Sequence, residues 1–69
     1  MNLTTVKTGL RKFRSGKNAV MMFKLKNSSF GFSVERAING ETETVFFDSL
    51  QSAEKLFEEI QKNILDNAS

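Results

Sequence analysis

The sequence predicts an α+β fold in which a three-stranded antiparallel β-meander is packed by a C-terminal amphipathic helix. Short segments of alternating apolar residues are separated by turn-forming glycine and asparagine, as in a meander. A C-terminal segment instead repeats its apolar residues every three or four positions, as in an amphipathic helix. The 69 residues suffice for one small domain, 1–69, and the prediction is therefore a single sheet with its helix.

Three segments are predicted to be strands: 19–26, 30–37 and 42–47. Asn39-Gly40 lies between the second and the third, and both residues tolerate the positive φ of a tight hairpin turn. The turn-forming residues Asn27-Ser28-Ser29 separate the first predicted strand from the second. These signals order the three strands as neighbours in the sheet.

Alternation along the strands predicts which side chains the helix covers. The covered set is expected to be Met21, Phe23, Phe30, Phe32 and Val34. The opposite face is then left with Val20, Met22 and either Phe46 or Val45 with Phe47.

Phe30-Gly31-Phe32 resembles the aromatic run with which RNA-recognition and cold-shock domains stack on bases. If both rings faced solvent, Gly31, Ser33 and Glu35 would face the core, and burying an unpaired carboxylate is costly. Phe30 and Phe32 are therefore predicted to fill the core.

The C-terminal helix is predicted over 49–66. Its apolar stripe comprises Ala53, Leu56, Phe57, Ile60 and Ile64, and Asp48 or Ser49 is the expected N-cap.

The N-terminal segment, about 4–14, is predicted to be a further helix, with Val6, Leu10 and Phe13 on one stripe. Ser15-Gly16 would end it. A fourth strand is the alternative, because the segment contains three threonines and a glycine, which are weak helix formers.

The net charge is only +2, but the charges are unevenly distributed. Residues 1–34 contain seven basic and no acidic side chains, whereas residues 35–69 contain all eight acidic side chains and three basic ones. Such asymmetry is typical of a nucleic-acid-binding surface, although the two halves could instead neutralise each other. The predicted contacts to nucleic acid are Lys7, Arg11, Lys12, Arg14, Lys17, Lys24 and Lys26.

Composition argues against catalysis. Histidine and cysteine are absent, so the commonest general base, nucleophile partner and metal ligands are missing. We expect no enzyme activity, no cofactor and no small-molecule substrate. No apolar run has the length of a membrane span, and a cytoplasmic location is expected.

A protein-interaction module is the alternative function, such as a small regulator or inhibitor of the kind that phages and mobile elements encode. It would act through an apolar sheet face or an acidic helix face, and the apolar face could also join two copies into a homodimer. The residues predicted for such a partner are Val20, Met22, Phe46, Glu54 and Glu58.

Overall fold

A computed structural model describes residues 4–67 and gives an antiparallel sheet with one helix packed against one of its faces. The elements in chain order are β1 (Val6–Ser15), β2 (Asn18–Lys26), β3 (Phe32–Ile38), β4 (Glu41–Phe47) and α1 (Leu50–Asn67). The strands lie side by side in the same order, so each pairs with the strand that follows it. The α+β class, the antiparallel meander and the C-terminal helix are confirmed, but the meander has four strands rather than three.

The N-terminal segment is the fourth strand, and the predicted helix at 4–14 is wrong. β1 pairs with β2 along its length, and the hairpin closes through Gly16 and Lys17. Gly16 has φ +59°, as the first position of a type II′ turn requires. Pairing with β2 satisfies the backbone hydrogen bonds of a segment whose own helix propensity is weak.

The turn between β3 and β4 is the predicted one. Asn39 and Gly40 both have positive φ, at 52° and 85°, which is the conformation of a type I′ hairpin turn. The strands that it joins differ from the predicted bounds by one or two residues.

The helix also begins within one residue of its predicted start. Ser49 is the N-cap, because its Oγ accepts the backbone N–H of Ser52 at 3.2 Å. The buried side chains of α1 are Ala53, Phe57, Ile60 and Ile64. Nothing helical within residues 4–67 has both the length and the apolar character that a transmembrane segment requires.

The predicted orientation of β2 is wrong. Val20 and Met22 lie under α1 and are 0% and 1% exposed, so the side chains that alternate with them, Met21 and Phe23, lie on the opposite face. Met22 is opposite Val34, which belongs to the same buried cluster as the helix residues. Both faces of β2 are apolar, so alternation alone could not choose between them.

Phe30 and Phe32 have different environments, and the prediction that both fill the core is wrong for Phe30. β3 begins at Phe32, which packs against the core under α1. Phe30 precedes the strand and is 42% exposed. Its N–H donates to the Ser28 Oγ at 3.2 Å, and Asn27 in the same loop has φ +63°. Alternation holds only within a strand, and it does not extend to a residue in this bent loop.

A β-bulge in β1 determines which of its side chains reach which face. Leu10 has no partner in β2 and interrupts the pairing register. Alternation restarts after the bulge, so Phe13 packs against the core while Lys12 and Arg14 share a face with Lys7. The bulge thereby brings Lys7, Lys12 and Arg14 onto one face, whereas Arg11 shares the helix side with Phe13.

Candidate functional site

The sheet face opposite α1, which we call the open face, has no element of residues 4–67 packed on it. The strand registers assign its side chains, because alternate residues point to the same face. They are Lys7, Lys12 and Arg14 of β1, Ala19, Met21, Phe23 and Leu25 of β2, Ser33, Glu35 and Ala37 of β3, and Thr42, Thr44 and Phe46 of β4.

One end of the open face is strongly basic. Lys12, Arg14 and Lys17, which we call the basic strip, are exposed and surround a shallow depression of 280 Å³. The depression has an apolar floor formed by Ala19, Met21 and Ala37. Within the described residues, no carboxylate lies at ion-pair distance from the basic strip. These three charges are therefore available to an anionic ligand.

Lys7 is different, because its charge already has partners. Its Nζ lies 2.7 Å from the Glu35 Oε2 and 4.8 Å from the centre of the Phe23 ring. Both contacts occur on the open face. Lys7 therefore neutralises the carboxylate of Glu35 and covers part of one aromatic ring.

The other end of the open face carries an aromatic patch of Phe23, Phe30 and Phe46. The rings of Phe30 and Phe46 are 5.5 Å apart between centres, with 31° between their planes. They are 42% and 50% exposed. Large rings this exposed on the surface of a small domain are typical of binding surfaces.

The loop that carries Phe30 is attached to the start of β1. The Asn27 Nδ2 donates to the Thr4 carbonyl, and the Thr5 hydroxyl donates to the Asn27 carbonyl, each at 3.2 Å. The backbone N–H of Leu25 also donates to the Gly31 carbonyl at 2.8 Å. These bonds fix the loop at the end of the sheet from which Phe30 contacts Phe46.

Ser33 lies between the aromatic side chains of the neighbouring strands. It is opposite Phe23 on one side and Phe46 on the other, and it is 1% exposed. Its Oγ has no hydrogen-bond partner among residues 4–67. The Ser33 side chain is therefore covered by its neighbours although no element packs on the open face.

The remaining predicted cations do not belong to the open face. The Arg11 guanidinium points to the helix side, where it lies 4.4 Å from the centre of the Phe57 ring and 3.4 Å from the Glu58 carboxylate. Lys24 and Lys26 are exposed on the helix side of β2, beyond the part that α1 covers. The seven predicted cations therefore do not form one surface.

The residues predicted for a protein partner are also separated. Val20 and Met22 are buried beneath α1, so their predicted exposure is wrong. Phe46 lies on the open face, whereas Glu58 on the helix pairs with Arg11 and the neighbouring Glu54 is half-buried. Phe46 is the member of this set that shares a surface with the basic strip.

Sequence reasoning missed Phe23 and Phe30, because it assigned both to the core. The apolar character of both faces of β2 was the available signal, since it requires one apolar row to lie away from the helix.

The open face and the Gly16-Lys17 turn together carry four cations against the single carboxylate of Glu35. Every other carboxylate of residues 4–67 lies on the helix, on the helix side of β4 or in the loop before α1. No group of three such side chains in the described part of the chain is arranged to hold a metal ion. The open face is therefore suited to an anion that also has flat apolar surfaces.

Comparison of the chain with protein-family models, with curated proteins and with solved structures gives no match.

Proposed function

We propose that this chain is a small non-enzymatic protein that binds nucleic acid through the open face of its sheet. The observation that carries the proposal is the position of the basic strip and the exposed rings of Phe30 and Phe46 on one face. Cations bind phosphates, and aromatic rings bind the faces of bases. An open antiparallel sheet backed by a helix offers both groups at once.

The charge distribution supports an anionic ligand over a second copy of the chain. A second copy would present its own basic strip, and Glu35 on its open face is already paired with Lys7. A polyanion gives the strip a counterpart without that repulsion. The acidic residues of the helix side would also orient the molecule, since they repel phosphate from the wrong face.

A pair of charge reversals tests the proposal. Lys12→Glu with Arg14→Glu changes the open face, and Lys24→Glu with Lys26→Glu changes the net charge equally on the other face. All four side chains are exposed, so both variants should fold. Binding of a fluorescein-labelled oligonucleotide, measured by anisotropy at low salt, should be lost in the first variant and largely kept in the second. Equal losses would mean that net charge, not the open face, determines binding.

Salt dependence provides a second measurement on the same proteins. Three phosphate contacts from the basic strip give a slope of log K against log salt of about −2, from roughly −0.7 per contact with a single strand. The Lys12→Glu, Arg14→Glu variant should have a shallower slope. A slope near zero for the unchanged chain would refute the proposal.

A protein-interaction module is the second candidate function, and the exposed apolar rings favour it. Phe30 and Phe46, with half-buried Phe23, form a patch that an apolar partner could cover. Such a partner would need acidic groups beside its apolar surface to match the basic strip. Binding that is insensitive to salt and to the Lys12→Glu, Arg14→Glu change would favour this function.

A further inference from the structure

We infer that the open face selects single-stranded nucleic acid, with a base stacked on Phe46 and phosphates held by the basic strip. The inference rests on the proposed function and adds the strand state of the ligand and the residue that recognises it. In a duplex the base faces are stacked on each other, whereas in a single strand they are free to meet an aromatic ring.

Of the three rings in the aromatic patch, Phe46 is the best placed to stack. One face of Phe23 is occupied by the Lys7 ammonium group at 4.8 Å. Phe30 belongs to a loop, whereas Phe46 is held by β4 and is half exposed. Phe30 packs against Phe46, with the ring centres 5.5 Å apart and 31° between the planes, and Phe46 is still 50% exposed.

The separation of the two sites fits a strand of a few nucleotides. Phe46 lies three strands away from Lys12, about 14 Å at roughly 4.8 Å per strand, and one alternate position, about 7 Å, further along the sheet. The two are therefore on the order of 16 Å apart. A stacked strand rises about 3.4 Å per nucleotide, so about five nucleotides connect the sites. An eight-nucleotide probe is long enough to occupy both.

The first experiment compares three labelled probes of the same length: an eight-nucleotide oligothymidylate, an abasic oligomer and an eight-base-pair duplex. The abasic oligomer keeps the phosphates but has no base to stack. We expect the oligothymidylate to bind about 5- to 150-fold more tightly than the abasic oligomer, which corresponds to one stacked base. The duplex should bind more weakly than the oligothymidylate.

The possible failures are distinguishable. Equal binding of the oligothymidylate and the abasic oligomer would overturn the stacking inference and leave nucleic-acid binding in place. Tighter binding of the duplex would also overturn it. If none of the three probes bound at low salt, the proposed function would fall together with the inference.

Variants of Phe46 test the residue itself. Phe46→Leu keeps an apolar side chain but removes the flat ring, and Phe46→Ala removes both. Stacking predicts that both variants lose about 5- to 150-fold in affinity for the oligothymidylate and none for the abasic oligomer. Leu65→Ala is the control, because Leu65 is 54% exposed on the helix. Full affinity in Phe46→Leu would overturn the stacking role.

A fluorescent substitution reports the contact directly. The chain contains no tryptophan or tyrosine, so Phe46→Trp would carry a single emitter on the open face and Leu65→Trp a single emitter on the helix. We expect the oligothymidylate to quench the first and leave the second unchanged. An unquenched Phe46→Trp that still binds the probe would place the bases elsewhere and overturn the inference.

Discussion

At the scale of single residues, Ser33 and Val34 are neighbours in β3 that face opposite sides of the sheet, and both are buried. Val34 faces α1 and is buried with the helix residues. Ser33 points the other way, yet it is just as buried, because it lies opposite Phe23 and Phe46 on the neighbouring strands. A hydroxyl in such a place has lost its contact with water.

Ser33→Ala should therefore stabilise the fold. The Ser33 Oγ has no hydrogen-bond partner within residues 4–67, and leaving a buried polar group unpaired costs about 1–3 kcal/mol. We expect the free energy of unfolding in urea, followed by circular dichroism, to rise by about 1 kcal/mol.

Ser28→Ala is the matched control, because the Ser28 Oγ accepts the N–H of Phe30 on the surface. That variant should be neutral or slightly less stable. If Ser33→Ala lowered stability instead, the hydroxyl would have a partner such as a bound water.

At the scale of the elements, a hairpin turn and a β-bulge show which structural features the sequence pattern can predict and which it cannot. The Asn39-Gly40 turn was predictable, because its residues have a strong local preference for positive φ. The bulge at Leu10 was not, since it depends on the pairing of β1 with β2. Without the bulge, a strand at this position distributes basic and apolar residues over both faces, which is why the pattern favours a helix over the alternative of a fourth strand.

Two glycine substitutions test whether a glycine is needed for its positive φ or only occupies a position where a side chain would also fit. Gly40 has φ +85°, and an added Cβ would meet no atom within 4 Å. Gly40→Ala should therefore cost about 1–2 kcal/mol of stability from the left-handed backbone alone. Urea unfolding measures the change.

Gly9→Ala serves as the comparison. Gly9 also has open space around its Cα, but its φ is not in the left-handed region. We expect no loss, or a gain of about 0.4–1 kcal/mol from the restricted unfolded chain. Equal destabilisation by both substitutions would contradict the assigned turn conformation.

At the scale of the whole molecule, charge is sorted between the two sides of the sheet. The basic strip lies at one end of the open face, and most carboxylates lie on the helix side, where Arg36 and Glu43 pair at 2.6 Å and Arg11 pairs with Glu58. Each acidic partner of Arg11 and Arg36 comes from the C-terminal half of the sequence. On the open face, Lys7 is paired with Glu35, but no carboxylate of residues 4–67 pairs with the basic strip, so its positive charge remains uncompensated there.

This distribution predicts a monomer in solution. Two open faces brought together would bury six cations of the two basic strips without acidic partners from the faces themselves. Light scattering at physiological salt should give the mass of one chain, 7.8 kDa.

The Phe46→Ala variant tests whether any dimer forms through the open face. A dimer that this substitution converts to a monomer would show that a second copy covers the open face. Nucleic acid would then have to compete with that copy for the aromatic patch.

The sequence by itself determined the α+β class, the α1 helix, the hairpin turn at Asn39-Gly40 and the basic character of the N-terminal half. Each of these follows from local preference or composition, which are properties of neighbouring residues. Only the tertiary structure decided that β1 is a strand, that Met22 rather than Phe23 lies under the helix, and that Phe30 remains on the surface. Those outcomes depend on strand register and on where α1 crosses the sheet. Both are set by contacts between residues that are distant in the sequence.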